Sequence, residues 1–261
     1  NSASDISSTG GQMPRLLGLA QATKIVRQQP ELKKHLNNNV EGNEVAFGSI
    51  GDASTSEGMF FETINAAAVM QVPLAVAVYD DGYGISVPIE LQTTKSSISK
   101  ALEGFRKKEG SNGIEIYTCK GWDYPGLMKT FSEGISHCRE THTPVLFHIK
   151  EITQPLGHST SGSHERYKTK ERLEWENEFD CLNQFRQWLL ETGRTDLEEI
   201  HAVEKEAIQT ARDARDRAWK NYTDGFTEET ASLEKIVLAY KKESAGSKDH
   251  TPERQSIKEK L

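Results

Sequence analysis

The chain has 261 residues, 35% of them hydrophobic, with 32 basic against 39 acidic side chains and a formal net charge of -7. That length allows one large α/β domain with a sizeable core and an appendage. The acidic balance, with no basic stripe, argues against nucleic acid as a partner, and the apolar runs are too short to span a bilayer.

Residues 1–11, NSASDISSTGG, are polar and lack the basic and apolar regions of a signal peptide. The chain opens on Asn1 rather than Met, which fits a processed or excised chain. Residues 12–29 carry apolar side chains at helical spacing (Leu16, Leu17, Leu19, Ala20, Ile25), and NNNVEGN at 37–43 reads as a turn. A strand at 44–50, a helix at about 56–71 and a strand at 73–79 follow, the last apolar on both faces as a buried parallel strand should be. Helices fit 95–107 and 123–141, and strands fit 113–118 and 144–150. Strands alternating with helices of this length predict a doubly wound parallel sheet. After Lys150 periodicity stops: EITQPLGHSTSGSHERYKTK at 151–170 is a long polar loop, and loops of that length without their own structure usually carry function. Two amphipathic stretches, 171–191 and 195–222, precede a charged tail at 243–261. The predicted division is a cofactor-binding α/β domain at 1–195, a helical extension at 196–242 and the tail. Cys119, Cys138 and Cys181 are scattered and form no CxxC, which suggests reduced thiols in a cytoplasmic protein.

The most informative stretch is Gly51 to Ser86. An acidic turn, Gly51-Asp52-Ala53-Ser54, follows the first strand, and a second, Asp80-Asp81-Gly82-Tyr83, follows the next. In a parallel βαβ unit both turns lie at the carboxyl edge of the sheet, where open α/β sheets bind ligands. Gly51 permits the tight turn. The amides of Ala53 and Ser54, opening a helix, would face an anion. The Asp52 carboxylate suits a hard cation such as Mg²⁺. The competing readings are ordinary: Asp52 as a helix N-cap and Asp81-Gly82 as a turn. Together, 29 positions apart with one helix and one strand between them, the two aspartates point to a diphosphate cofactor held through a metal.

Five motifs in order make the chain resemble the α part of the thiamine-dependent, decarboxylating dehydrogenase component of 2-oxo-acid dehydrogenase complexes, the pyruvate and branched-chain group. The family's GGQMP is similar to Gly10 to Pro14, its GDGxxSEG to residues 51–58, and its NNGYAIS to Asp80 to Ser86. Its GHHSTSD or GHSMSDP loop is similar to Gly157 to Ser161, and its RFRxWLLxxG to Gln184 to Gly193. The likeness covers roughly residues 10–240. It implies that thiamine diphosphate and Mg²⁺ bind, with Asp52, Asp81 and the Tyr83 carbonyl as metal ligands. Gly51, Ala53 and Ser54 would face the diphosphate. Ile85 would sit beneath the bent cofactor, and His158 at the mouth of the site near the phosphates and an incoming lipoyl group. Glu57 would favour the helix dipole. Two positions depart from the family: Ala53 replaces Gly, a strain if φ is positive there, and Asp81 replaces Asn, adding charge beside an anionic cofactor.

The implied reaction is oxidative decarboxylation of a 2-oxo acid with acyl transfer to the lipoyl domain of a dihydrolipoyl acyltransferase. The resemblance puts a required glutamate on the β part, a separate subunit or fused half, so this chain alone would be inactive. A transketolase-like transferase shares the metal motif, and a non-catalytic assembly domain would fit a degraded one. Trp175, Phe179, Phe185 and Trp188 read as a packing stripe in a region the family uses at subunit contacts. The loop at 153–168 is expected to be mobile without cofactor.

Overall fold

A computed structural model of the chain describes residues 8–35, 42–158 and 163–245. It falls into two compact units, residues 1–194 and 195–261. The first unit opens with helix α1, Gln12–Gln28, followed by strand β1, Ala46–Gly51, helix α2, Gly58–Met70, and strand β2, Leu74–Tyr79. A two-residue hairpin, β3 (Tyr83–Gly84) against β4 (Val87–Pro88), leads to a single turn, α3, Ile98–Ala101. Strand β5, Glu115–Lys120, helix α4, Tyr124–Thr141, and strand β6, Val145–Lys150, complete the sheet. Helices α5, Lys170–Glu178, and α6, Cys181–Glu191, close the unit.

The sheet is wholly parallel in the order β1-β2-β6-β5, as the alternation of elements predicts. Its period-2 side chains feed two cores. Leu74, Val76, Val78 and Leu146 pack with Met13, Ala20, Phe60 and Ile64 of α1 and α2 on one face. Ala75, Ala77, Val145, Phe147 and Ile149 pack with Cys138 and with Phe131 and Ile135 of α4 on the other. Both faces are covered, which is why β2 and β6 are apolar without alternation. Gly134 lets α4 approach closely: a Cβ there would lie 2.5 Å from the Phe147 ring.

Two expected elements change. The helix at 95–107 reduces to the turn α3, because Lys95 and Ser96 adopt left-handed φ of 60° and 48° and the Ser97 hydroxyl then caps a new turn by accepting from the Lys100 amide. The amphipathic stretch 171–191 breaks at Phe179, where the Asp180 carboxylate caps α6 by accepting from Asn183. The aromatic stripe packs within the unit: Trp175 stacks on Phe179 at 5.4 Å, Phe179 meets Trp122 at 5.0 Å, and Phe185 and Trp188 flank Tyr124. The second unit is helix α7, Leu197–Ala245, 49 residues long. The expected turn at 37–43 and the tail fall largely outside the described residues. The three cysteines are free. Among the described residues no helix is long and apolar enough to cross a membrane.

Candidate functional site

The hydrogen-bond ladder continues past the carboxyl ends of the strands. The Asp52 amide donates to the Tyr79 carbonyl, the Asp80 amide to Ile149, and the Ile152 amide to Asp80. Three successive loops, 51–54, 80–85 and 151–158, are thereby held side by side. They line one cavity of about 790 Å³, with Asp52, Ala53, Ser54, Asp81, Tyr83, Ile85 and His158 in its wall. Gly51 lines it as well, and also lines a second cavity of about 390 Å³ beside Gly10, Gln12 and Ser49. The structure thus brings together every residue the sequence singled out for the site.

Residues 53–56 form a 3-10 turn and α2 starts only at Gly58, so the Ala53 and Ser54 amides lie at the amino end of that turn. Ala53 keeps a negative φ: it is not among the left-handed residues, and the replacement of glycine causes no backbone strain. Its methyl instead fills the space against Gly84, where a second Cβ would come within 2.8 Å. Asp52 does not cap the turn through its side chain. Its residue is 4% exposed and its Oδ2 is buried without a partner. Burial, then the Asp80 and Asp81 charges, push its pKa up to about 7, against the pull of the Ala53 and Asp52 amides. A carboxylate desolvated among carboxylates is one that a nearby cation would stabilise.

Asp81 is also raised, chiefly by burial, while the Tyr83 amide donated to its Oδ1 and the Lys168 ammonium hold it back. Asp80 has other work. Its Oδ2 lies 2.7 Å from Nε2 of His148, fully buried in β6, and its Oδ1 accepts from the Gly82 amide. The other imidazole nitrogen lies 2.8 Å from the Ser99 hydroxyl. The tandem Asp80-Asp81 is therefore divided: one carboxylate is spent on the core and the other faces the cavity. Among the described residues no three His, Cys, Asp or Glu side chains form a metal cluster. A cation here would rest on two carboxylates, a backbone carbonyl and oxygens from outside the chain, a set that suits Mg²⁺, which keeps water and phosphate ligands.

Ile85 has φ +59°, lines the cavity and is 62% exposed. A β-branched residue in the left-handed region is an outlier, and such strain concentrates where ligands are clamped. His158 stands exposed at the rim, whereas Ser159 and Ser161 of the same loop lie outside the described residues. Glu57 lines the cavity ahead of α2.

Residues 3–224 match the family described as Dehydrogenase E1 component. The chain belongs to that family. Family membership carries dependence on thiamine diphosphate, and the orphaned Asp52 oxygen, the open 3-10 turn and the strained Ile85 fit such a group. Among similar proteins is the pyruvate dehydrogenase E1 component subunit alpha of Rickettsia bellii, 25% identical over 172 residues, 65% of this chain and 50% of that one. The 2-oxoisovalerate dehydrogenase subunit alpha of Bacillus subtilis is 28% identical over 228 residues, 81% of this chain and 66% of that one. The 3-methyl-2-oxobutanoate dehydrogenase subunit alpha of Mycobacterium tuberculosis is 28% identical over 155 residues, 59% of this chain and 40% of that one. The chain spans about half the length of the first two curated relatives it resembles, the pyruvate dehydrogenase subunits of Rickettsia bellii and Rhizobium meliloti.

Three features of this site had little sequence signal. The Asp80–His148–Ser99 relay joins positions 49 and more residues apart. Gln92 lines the cavity with its Nε2 buried and unpartnered, and nothing around it in the sequence marks it. Arg172 reaches from α5 to the Asp81 carbonyl, 91 positions away.

Proposed function

We propose that the chain is the α half of a thiamine diphosphate-dependent 2-oxo-acid dehydrogenase, decarboxylating a 2-oxo acid and passing the acyl group to a lipoyl domain. The observation that carries the reading is the buried, unpartnered Asp52 oxygen at the junction of two acidic turns, in a chain of the E1 family. Asp52, Asp81 and the Tyr83 carbonyl would hold Mg²⁺, and the Gly51 to Ser54 turn would take the diphosphate. Ile85 would wall the ring system, and His158 would serve at the mouth. The bound cofactor supplies an electron sink for the pair left by departing CO₂. The chain's own part would be to hold the metal and diphosphate with Asp52, Asp81 and the Gly51 to Ser54 turn, to support the ring system with Ile85, and to present His158 to the incoming acceptor. Three free thiols support a cytoplasmic setting.

The other half of the site would come from a β partner. The test is decarboxylation of pyruvate and branched-chain 2-oxo acids with an artificial electron acceptor, with and without that partner. Turnover is expected only with the partner, and calorimetry should show Mg²⁺-dependent binding of thiamine diphosphate to the assembly. An assembly that neither binds the cofactor nor releases CO₂ would refute the reading.

A further inference from the structure

Beyond the cavity wall, a buried group of charges bears on the second acidic turn. Lys168 and Glu176 have side chains only 1% exposed, and the Lys168 Nζ donates to both Glu176 oxygens at 2.7 and 2.9 Å. Arg172 donates its Nε to the same carboxylate at 2.8 Å, and with Nη2 it donates to the Asp81 carbonyl at 2.8 Å. Both cations lie over the Tyr83 ring, Lys168 at 5.0 Å and Arg172 at 5.6 Å. The neighbouring Tyr167 ring meets Tyr83 at 5.7 Å.

An ion pair alone would fasten Lys168 to α5. The third member and its second bond are directed elsewhere: they take hold of the peptide between Asp81 and Gly82, inside the turn that would offer both the Asp81 carboxylate and the Tyr83 carbonyl to a metal. The rest of the turn is already held, with the Gly82 amide on Asp80, the Tyr83 amide on Asp81 and the Gly82 carbonyl on the Ile89 amide. Arg172 completes that set from α5. A guanidinium suits this use because its planar fork serves two acceptors in fixed geometry, which an ammonium does not.

We propose that Arg172, held by Glu176 and backed by Lys168, is a positioning residue that sets the Asp81–Tyr83 turn in its ligand-binding shape. This rests on the proposed metal and diphosphate site.

The test uses the chain assembled with its partner half and measures Mn²⁺ affinity in the presence of thiamine diphosphate by electron paramagnetic resonance, alongside kcat and thermal melting. Arg172→Gln is expected to weaken Mn²⁺ binding roughly tenfold, as loss of outer support around a metal commonly does, while kcat at saturating Mn²⁺ and cofactor stays within about twofold. Arg172→Lys, which keeps the charge beside Glu176 but lacks the fork, should fall between the two and decides the matter if Arg172→Gln does not fold. Folded variants that bind Mn²⁺ as the unaltered protein does, whether or not they melt earlier, would overturn the positioning role and leave the functional reading intact. Failure of the unaltered assembly to bind Mn²⁺ with thiamine diphosphate would overturn both.

Discussion

At the scale of single residues the site is held in a state that favours a ligand over the bare protein. Asp52 has a folded pKa near 7 against 3.8 unfolded, so the folded chain holds the proton more tightly. The resulting penalty is absent below about pH 4, grows as pH rises through 7 and is full above it. Asp52→Asn is therefore expected to raise the melting temperature of the metal-free chain at pH 8, by roughly 2–4 °C for each kcal/mol relieved, and to change it little at pH 4. Mg²⁺ with thiamine diphosphate should raise the melting temperature of the unaltered assembly and not that of the variant. Scanning calorimetry at the two pH values checks both. Ile85 is strained in the same sense. Its left-handed backbone costs about 1–2 kcal/mol in an L-residue, so Ile85→Gly should melt a few degrees higher and bind thiamine diphosphate more weakly. Ile85→Ala, which also loses the side chain but keeps the left-handed penalty, is the control: a glycine variant no more stable than it would show that the backbone there is not under strain. Of these residues, Asp52, Asp81 and Ile85 could be picked out from the order of motifs. The burial that makes Asp52 reactive could not, since it depends on three loops meeting.

At the scale of elements, close approach of helix to sheet and the ends of helices set the stability. Gly134 faces the Phe147 ring so closely that Gly134→Ala must displace it, and overpacking of this kind costs about 1–3 kcal/mol. Denaturant unfolding should show the loss with little change in slope. His142 ends α4 with φ 56° and is 8% exposed, its Nε2 buried without a partner. Burial first, then Arg27 and Lys24, hold its pKa below the usual 6.5. Its contribution to stability is full above pH 6.5 and is lost as pH falls through the lowered folded value. Asn tolerates the left-handed conformation and does not titrate. His142→Asn is expected to lose less stability than the unaltered protein between pH 7 and pH 5, and equal losses would contradict the assignment. Element types were legible because βαβ alternation is a pattern of the sequence itself. The breaks at Ser97 and Asp180 were not, because each depends on one side chain capping the next turn in place of continuing the helix.

At the scale of the whole molecule, the cavity wall is drawn from residues 9–158 and both cores from residues 13–152. A chain ending at Arg194 is therefore expected to melt cooperatively and, with the partner half, to keep Mg²⁺-dependent thiamine diphosphate binding. Calorimetry on that shortened chain checks this, and loss of folding would show that residues 195–261 are needed for the first unit.

The sequence by itself determined the fold class, the two acidic turns at strand ends and the family, because strand alternation, Gly-Asp turns and motif order are local and survive without coordinates. Motif order also singled out Asp81 over Asp80, but only the tertiary structure shows what separates them. Asp80 and Asp81 are adjacent and chemically alike, yet one is bound to His148 in the core and the other faces the cavity. It also decided that Arg172 reaches Asp81. Contacts between residues this far apart in the chain follow from how the layers pack, and no spacing along the sequence encodes them.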